Sequence, residues 1–170
     1  MTQFSVVIPT LNESENIDLL LTRLFALKLS PNSFEVIFVD DGSTDETPDK
    51  IRAWRKQSNI KLVERTGNPD LTASILAGAA VANSEVIVVM DADLSHPPES
   101  LPAVVKPVLD NNQDISIGSR YVRGGRIDNW PWYREWLSRA GSWIARPISD
   151  VNDATSGFFA FRKILIQSLP

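Results

Sequence analysis

Residues 86–93, with the sequence VIVVMDAD, are the most informative part of the chain, because an apolar segment there runs directly into two acidic residues. A strand without polar interruption is buried on both faces, which is typical of a parallel sheet that helices cover. Comparable short runs occur at residues 5–8, 34–39, 60–63 and 114–117, and we predict that these are also strands. The sequence therefore predicts an α/β fold.

Helical patterns separate the predicted strands. After the first strand, apolar residues fall at positions i, i+3, i+4 and i+7, namely Ile17, Leu20, Leu21 and Leu24. This spacing places them on one helix face, against a sheet. Residues 71–82 and 101–108 are further predicted helices. Two pairs have the spacing of a capping box at a helix start: Asn12 with Glu15, and Ser43 with Glu46.

Composition restricts the class of protein. With 170 residues, 43% hydrophobic and 22% charged, the chain is expected to form one domain over residues 1–170, the N-terminal part of a longer protein. It contains no run of about 20 apolar residues, so we expect the domain to be cytosolic and soluble. The sequence has no cysteine and one histidine, which excludes disulfides and leaves oxygen atoms as the metal ligands.

Charge is unevenly distributed along the chain. The net charge of −4 argues against a nucleic-acid partner. Arginine is nevertheless concentrated in one stretch, at positions 120, 123, 126, 134, 139 and 146, where the acids are Asp128 and Glu135. This local positive excess is consistent either with an ordinary solvated face or with a partner that carries phosphate.

Asp91 and Asp93 are the sharpest chemical signal. Two carboxylates spaced two residues apart at a strand end can turn toward one cation, and carboxylates suit hard ions such as Mg²⁺ or Mn²⁺. Asp40 and Asp41 follow another predicted strand. Because the carboxyl ends of parallel strands meet at one edge of the sheet, both acid pairs are expected there. The alternative is that these acids only cap the following turns.

Several motifs together resemble the family 2 glycosyltransferases, specifically the dolichol-phosphate mannosyltransferase branch. They are VVIPTLNE at 6–13, VDDGSTD at 39–45, MDADLSHPPE at 90–99, GSRY at 118–121, NWP at 129–131 and SGF at 156–158. The resemblance covers nearly the whole chain. It implies a GT-A fold, with a Rossmann-like, mostly parallel sheet that has helices on both faces and joins a nucleotide-binding half to an acceptor-binding half.

The resemblance also implies a donor site. The residues that match the nucleoside-binding positions of the family are Pro9, Leu11, Glu13, Val39 and Asp41. Asp91 and Asp93 match the pair that bridges Mg²⁺ or Mn²⁺ to the donor diphosphate, and Ser95 stands where the family often has a further Gln ligand. Residues 68–73 replace a basic loop that relatives have beside the donor, so the sugar or nucleotide preference is expected to differ.

For the acceptor, the resemblance implies a polyprenyl phosphate. Arg120 and Arg134 match the positions that receive its phosphate, with surface solvation as the alternative. Asp153 matches a family acid near the acceptor and is the candidate base, or else a structural residue. We interpret His96 as a turn residue. Asp93 is expected to stabilise the departing nucleoside diphosphate.

The implied reaction is an inverting transfer of a hexose, with mannose favoured, from a donor of the GDP-mannose or UDP-glucose type. Trp136, Arg139, Trp143 and Arg146 recur at helical spacing and suggest either core packing or contact with a membrane surface, on its cytoplasmic face. Transfer to a polysaccharide is the first rival function, although a Gln-x-x-Arg-Trp motif is missing. A nucleotide-sugar binding module without turnover is the second.

Overall fold

A computed structural model of the chain describes residues 2–30, 33–56, 58–118 and 156–167. The strands in these residues are β1 (Phe4–Thr10), β2 (Phe34–Asp40), β3 (Ile60–Glu64), β4 (Val86–Val89), β5 (Ile115–Ile117) and β6 (Phe159–Arg162). The α-helices are α1 (Ser14–Phe25), α2 (Thr47–Arg55), α3 (Leu71–Val81), α4 (Leu101–Leu109) and α5 (Ile164–Gln167), and a short 3-10 helix (Pro98–Ser100) precedes α4. The expected alternation of strands and helices is confirmed.

The six strands form one sheet in the order β3-β2-β1-β4-β6-β5. The first four in this order are mutually parallel, whereas β6 runs antiparallel to both β4 and β5. The prediction of a mostly parallel sheet is therefore confirmed. The β6 strand was not predicted, because four residues that pair only with distant strands carry no local signal of their own.

Apolar residues cover both faces of the sheet. On one face Val6 and Ile8 pack with the buried side of α1 and with α2 and α4. On the other face Val7, Ile37 and Val39 pack under α3. Helix α3 lies very close to the sheet, since a Cβ atom at Gly78 would be 2.5 Å from Val7 Cγ1. Small residues in α3 thus permit the approach.

The two predicted capping boxes are wrong. Asn12 has a φ of 58°, and α1 begins after Glu13 as its N-cap. Likewise α2 begins after Glu46, with Pro48 in its first turn. The reason is that the Asn12 and Ser43 side chains bond to the neighbouring loop or turn instead of to a helix end.

None of the helices in the described ranges is both long enough and apolar enough to cross a bilayer.

Candidate active site

The predicted donor-site residues follow the ends of three adjacent strands. Strand β1 lies between β2 and β4, and all three are parallel, so their carboxyl ends share one edge of the sheet. Leu11 and Glu13 follow β1, Asp41 follows β2, and Asp91 and Asp93 follow β4. The structure therefore brings these residues to the same edge, as the sequence predicted.

Hydrogen bonds join the loop after β1 to the loop after β2. The backbone amides of residues 12–14 donate to Ser43 Oγ at 2.9 Å, Thr47 Oγ1 at 2.8 Å and Asp45 Oδ2 at 3.1 Å. In the opposite direction, the Thr44 amide donates to Asn12 Oδ1 at 2.9 Å. Hydrogen bonds from Thr47 and Ser14 lower the pKa of the Asp45 carboxyl. The two loops are consequently held as one frame.

Asp40 and Asp41 have different surroundings although they are adjacent. Asp40 turns inward and accepts hydrogen bonds from the Gly42 amide at 3.2 Å and from the Ser43 amide at 2.9 Å. Gly42 has a φ of 86°, which favours glycine in this turn. Asp40 is thus the residue that shapes the turn, and Asp41 is the one that faces the edge.

The Asp41 carboxylate is bound by its own chain. Its oxygens accept hydrogen bonds from Ser74 Oγ at 2.7 Å and from the Asp70 amide at 3.0 Å, and they form an ion pair with Arg65. Burial raises the pKa of this carboxyl, but the hydrogen bonds from Ser74 and Asp70 and the charge of Arg65 outweigh that effect and lower it. Asp41 therefore ties β2 to the loop between β3 and α3 and stays ionised.

The Asp91–Ser95 loop presents oxygen atoms of the kind that hard cations bind. Asp93 is exposed, and its carboxylate accepts hydrogen bonds from the Ser95 amide at 2.9 Å and from Ser95 Oγ at 2.8 Å. Leu94, with a φ of 60°, makes the turn that brings Ser95 back to Asp93. Ser95 thus contacts a predicted ligand, and its role as a ligand itself stays a prediction.

The carboxylates of Asp91 and Asp93 fit a divalent cation that is also coordinated by oxygen atoms of a bound ligand. Within the described ranges, no group of three or more acidic or histidine side chains is arranged to hold a metal ion. Asp91 and Asp93 nevertheless offer carboxylates on one loop, and Gly157 leaves the space beside Asp91 free of a side chain. Diphosphate oxygens and water would have to complete the coordination, as is usual for Mg²⁺.

The other predicted residues differ in exposure. Leu11 is 43% exposed at the edge, and Pro9 and Glu13 are half-buried. The Val39 side chain is fully buried under α3, and its role at the nucleoside stays a prediction. His96 is buried and its ring lies 5.3 Å from that of Phe158, which indicates a packing role.

Three predicted residues, Arg120, Arg134 and Asp153, lie outside the described residues, and their roles stay predictions. Conversely, the sequence reasoning missed Arg65, Ser74 and Gly157. Arg65 had a usable signal, because it lies two residues after the predicted strand 60–63, at the edge that carries Asp41. Ser74 had none, because its contact joins distant parts of the chain. Gly157 lies in the SGF motif, but that motif does not indicate its proximity to Asp91.

Comparisons with known proteins agree with this geometry. The family model described as glycosyl transferase family 2 matches residues 5–169. The dolichol-phosphate mannosyltransferase of Pyrococcus furiosus is 40% identical over 97% of this chain and 47% of its own length. That of Saccharomyces cerevisiae is 37% identical over 98% of this chain and 63% of its own length. The chain thus spans about half to two-thirds of these curated relatives.

Solved structures extend the likeness to three dimensions. Glucosyl-3-phosphoglycerate synthase of Mycobacterium tuberculosis, in complex with Mn²⁺, UDP-glucose and phosphoglyceric acid, is 26% identical, with a TM-score of 0.74. The match covers 99% of this chain and 59% of that one. The mannosyltransferase PcManGT of Pyrobaculum calidifontis is 23% identical with a TM-score of 0.69, over 97% of this chain and 46% of that one, and shows the fold alone. The expected GT-A fold is confirmed.

Proposed function

Because this chain belongs to glycosyl transferase family 2, we propose that it transfers a hexose, with mannose favoured, from a nucleotide-diphosphate sugar to a polyprenyl phosphate. The observation that carries the proposal is the position of Asp41 and of the Asp91 and Asp93 pair at one sheet edge. The names of the curated relatives support mannose and the lipid phosphate.

The donor side of the proposal uses residues that the structure describes. The joined loops after β1 and β2 form a fixed frame in which Leu11, Glu13 and Asp41 would receive the nucleoside. A donor of the GDP-mannose or UDP-glucose type fits this proposal. Because these two loops are already hydrogen-bonded to each other, they lose little conformational freedom when the ligand binds.

Asp91 and Asp93 would hold Mg²⁺ or Mn²⁺ together with the donor diphosphate, with Ser95 as a further candidate ligand. When bound, such a cation neutralises charge that develops on the nucleoside diphosphate leaving group. The complex of the solved mycobacterial synthase with Mn²⁺ supports a divalent ion. Asp93 is the more exposed of the two acids and would face the ligand.

In the proposed reaction, an oxygen of the acceptor phosphate attacks the anomeric carbon while the bond from that carbon to the diphosphate oxygen breaks. Direct displacement inverts the anomeric configuration. A phosphate monoester with a second pKa of about 6 is already largely anionic at neutral pH, so positioning matters more than a base. Arg120 and Arg134 are the proposed phosphate-binding groups, and Asp153 is the candidate base.

A lipid acceptor also places the reaction at a membrane surface, and we propose its cytoplasmic face. The residues that suggest this contact are Trp136, Arg139, Trp143 and Arg146, which lie outside the described part of the chain. Arginine and tryptophan together are typical of segments that lie in the headgroup region.

The proposal is tested in two steps on the full-length protein. First, GDP-mannose and UDP-glucose are compared for thermal stabilisation with Mn²⁺ and with chelator, and we expect GDP-mannose with Mn²⁺ to stabilise most. Second, transfer of labelled mannose to a short polyprenyl phosphate is compared with transfer to a neutral oligosaccharide. Transfer only to the neutral acceptor would establish the polysaccharide function instead. Donor binding without transfer to either acceptor would indicate a binding module.

A further inference from the structure

We infer that Gly157 is a positioning residue for Asp91, because the absence of a side chain at Gly157 provides the space in which the Asp91 carboxylate lies. This inference rests on the proposed role of Asp91 at a divalent metal ion. It concerns a residue on the segment that leads into the antiparallel strand β6, remote in sequence from the loop that it supports.

The Asp91 carboxylate lies unusually close to the position that a side chain at residue 157 would occupy. A Cβ atom at Gly157 would be 2.0 Å from Asp91 Oδ2, 2.5 Å from Oδ1 and 2.6 Å from Cγ. Ordinary van der Waals contacts of a Cβ atom begin near 3.4 Å. Any side chain at this position would therefore move the carboxylate by about 1 Å or more, or would move the backbone of one of the two segments.

Backbone conformation does not account for this glycine. Gly42 and Gly67 have positive φ values of 86° and 121°, and a Cβ atom at either would meet nothing within 4 Å. Gly157 is the reverse case, since its φ lies outside the positive range and the space beside it is filled by Asp91. The requirement for glycine at 157 is thus one of space.

Hydrogen bonds and packing also fix the residues on both sides of Gly157. Ser156 Oγ donates to the Gly118 carbonyl at 2.7 Å, and the Gly118 amide donates to the Phe158 carbonyl at 2.8 Å. Phe158 is 1% exposed and packs against His96, which lies on the same loop as Asp91. Because Gly157 lies between these two fixed neighbours, an added methyl group is expected to displace Asp91 rather than residue 157.

The first test compares Gly157→Ala with Gly78→Ala. The two variants add the same methyl group at crowded positions, but the Gly78 methyl would meet the buried side chains of Val7 and Val39 in the core and not the metal loop. We expect Gly157→Ala to weaken Mn²⁺ binding in the presence of GDP or UDP by about 10- to 100-fold, the range seen when the residues that position a metal ligand are changed. Gly78→Ala is expected to lower the Tm while changing Mn²⁺ affinity less than about 3-fold, as a structural effect would. Mn²⁺ affinity is measured by electron paramagnetic resonance, independently of turnover.

The second test needs no metal. If the collision with Asp91 causes the defect, Gly157→Ala should lower the Tm less in an Asp91→Ala background than in the parent, and a Gly157→Ala protein that fails to fold should be recovered by Asp91→Ala. Equal Tm losses in both backgrounds, or failure of the double variant to fold, would overturn the inference. If the parent itself binds no Mn²⁺ with nucleotide, the proposed function fails while this coupling can still be measured. If the parent binds Mn²⁺ and Gly157→Ala binds it equally well, only the inference fails.

Discussion

Two carboxylates at opposite ends of β2, Glu35 and Asp41, have different roles at the two ends of the parallel strands. Glu35 lies near the amino end of β2 and Asp41 directly after its carboxyl end, so an even spacing of six residues directs both toward α3. Glu35 lies at the C-terminal end of that helix, near Asn83, and Asp41 lies at its N-terminal end, near Ser74.

At the amino edge, which is the side of the sheet where the parallel strands begin, the Glu35 carboxylate is closed to solvent. Glu35 is fully buried and accepts hydrogen bonds from Ser5 Oγ at 2.6 Å and from the Asn83 amide at 2.7 Å, and it pairs with Lys61 at 2.9 Å. Lys61 also donates to the Val81 carbonyl at 2.7 Å, at the end of α3 where positive charge is favourable. The Glu35 carboxylate thus joins β1 and β3 to the turn that follows α3.

The carboxyl edge is bonded but accessible. Asp41 is also ion-paired and hydrogen-bonded, yet its own side chain is 9% exposed, compared with 0% for Glu35, and its partner Arg65 lies in the loop before α3. A fully buried carboxylate stabilises the fold, whereas a partly exposed one at the edge of the proposed site can exchange a loop partner such as Arg65 for a ligand. The comparison therefore predicts that substitutions at the two edges have different effects. A substitution at the amino edge should lower the stability of the fold, and one at the carboxyl edge should weaken donor binding.

The largest expected effect is at the metal loop. Asp93→Ala should lower transferase activity on the order of 10³-fold, since it removes one preorganised group from the leaving-group site. The Tm should change little, because Asp93 is exposed. Activity is measured over a range of Mn²⁺ concentrations, with Asp110→Ala as the control, an exposed acid paired with Lys106 away from this edge. Equal activity of Asp93→Ala and the control would remove Asp93 from the proposed site.

The different roles of the two edges were only partly predictable from the sequence. The strands and the positions of Asp41, Asp91 and Asp93 follow from local apolar runs that end in acids, so the edge of the site could be predicted. The network around Glu35 could not, because parallel pairing brings Ser5 and Lys61 to it and the packing of α3 on the sheet brings Asn83. Capping was mispredicted for the same reason: Asn12 and Ser43 bond across two loops that are distant in sequence.

Glu35→Ala should give the next largest effect. It leaves the buried Ser5 hydroxyl without its acceptor, which costs about 1–3 kcal/mol, whereas Lys61 is partly exposed and Asn83 is exposed, so both can bind water. We expect the free energy of unfolding, measured by urea denaturation, to fall by roughly that amount. The dissociation constant of the donor should stay within about 2-fold under conditions where the variant is folded. A donor affinity that falls with stability would contradict the separation of the two edges.

A smaller effect is expected at Asp41. Asp41→Ala should weaken nucleotide binding by about 10-fold, the equivalent of one charged hydrogen bond, as measured by calorimetric titration. Ser74→Ala is the matched control, because it removes one donor to the carboxylate and leaves the carboxylate in place. If both variants weaken binding equally, Asp41 acts by anchoring the loop before α3. If neither does, the assignment of Asp41 to the nucleoside is wrong.

The smallest expected effect is a dependence of stability on pH that both edges share. Burial raises the pKa of Glu35, but hydrogen bonds from Ser5 and Asn83 and the charge of Lys61 lower it overall, and the pKa of Asp41 is lowered in the same way. A carboxyl with a lowered pKa in the folded state binds fewer protons than in the unfolded state, so folding stability rises with pH in that window. The contribution is complete above the unfolded values of about 4.3 for Glu and 3.9 for Asp, and it is lost as pH falls through the folded values. Thermal unfolding between pH 3 and pH 7 should therefore show a decline in Tm below about pH 4. This decline should become shallower in Glu35→Gln and, to a lesser degree, in Asp41→Asn.

Nucleotide with Mn²⁺ should change the acid dependence of stability that Asp41 contributes and not the part that Glu35 contributes, since only Asp41 lies at the edge where the donor is proposed to bind. A ligand-induced change that persists undiminished in Asp41→Asn but disappears in Glu35→Gln would reverse the assignment of the two edges.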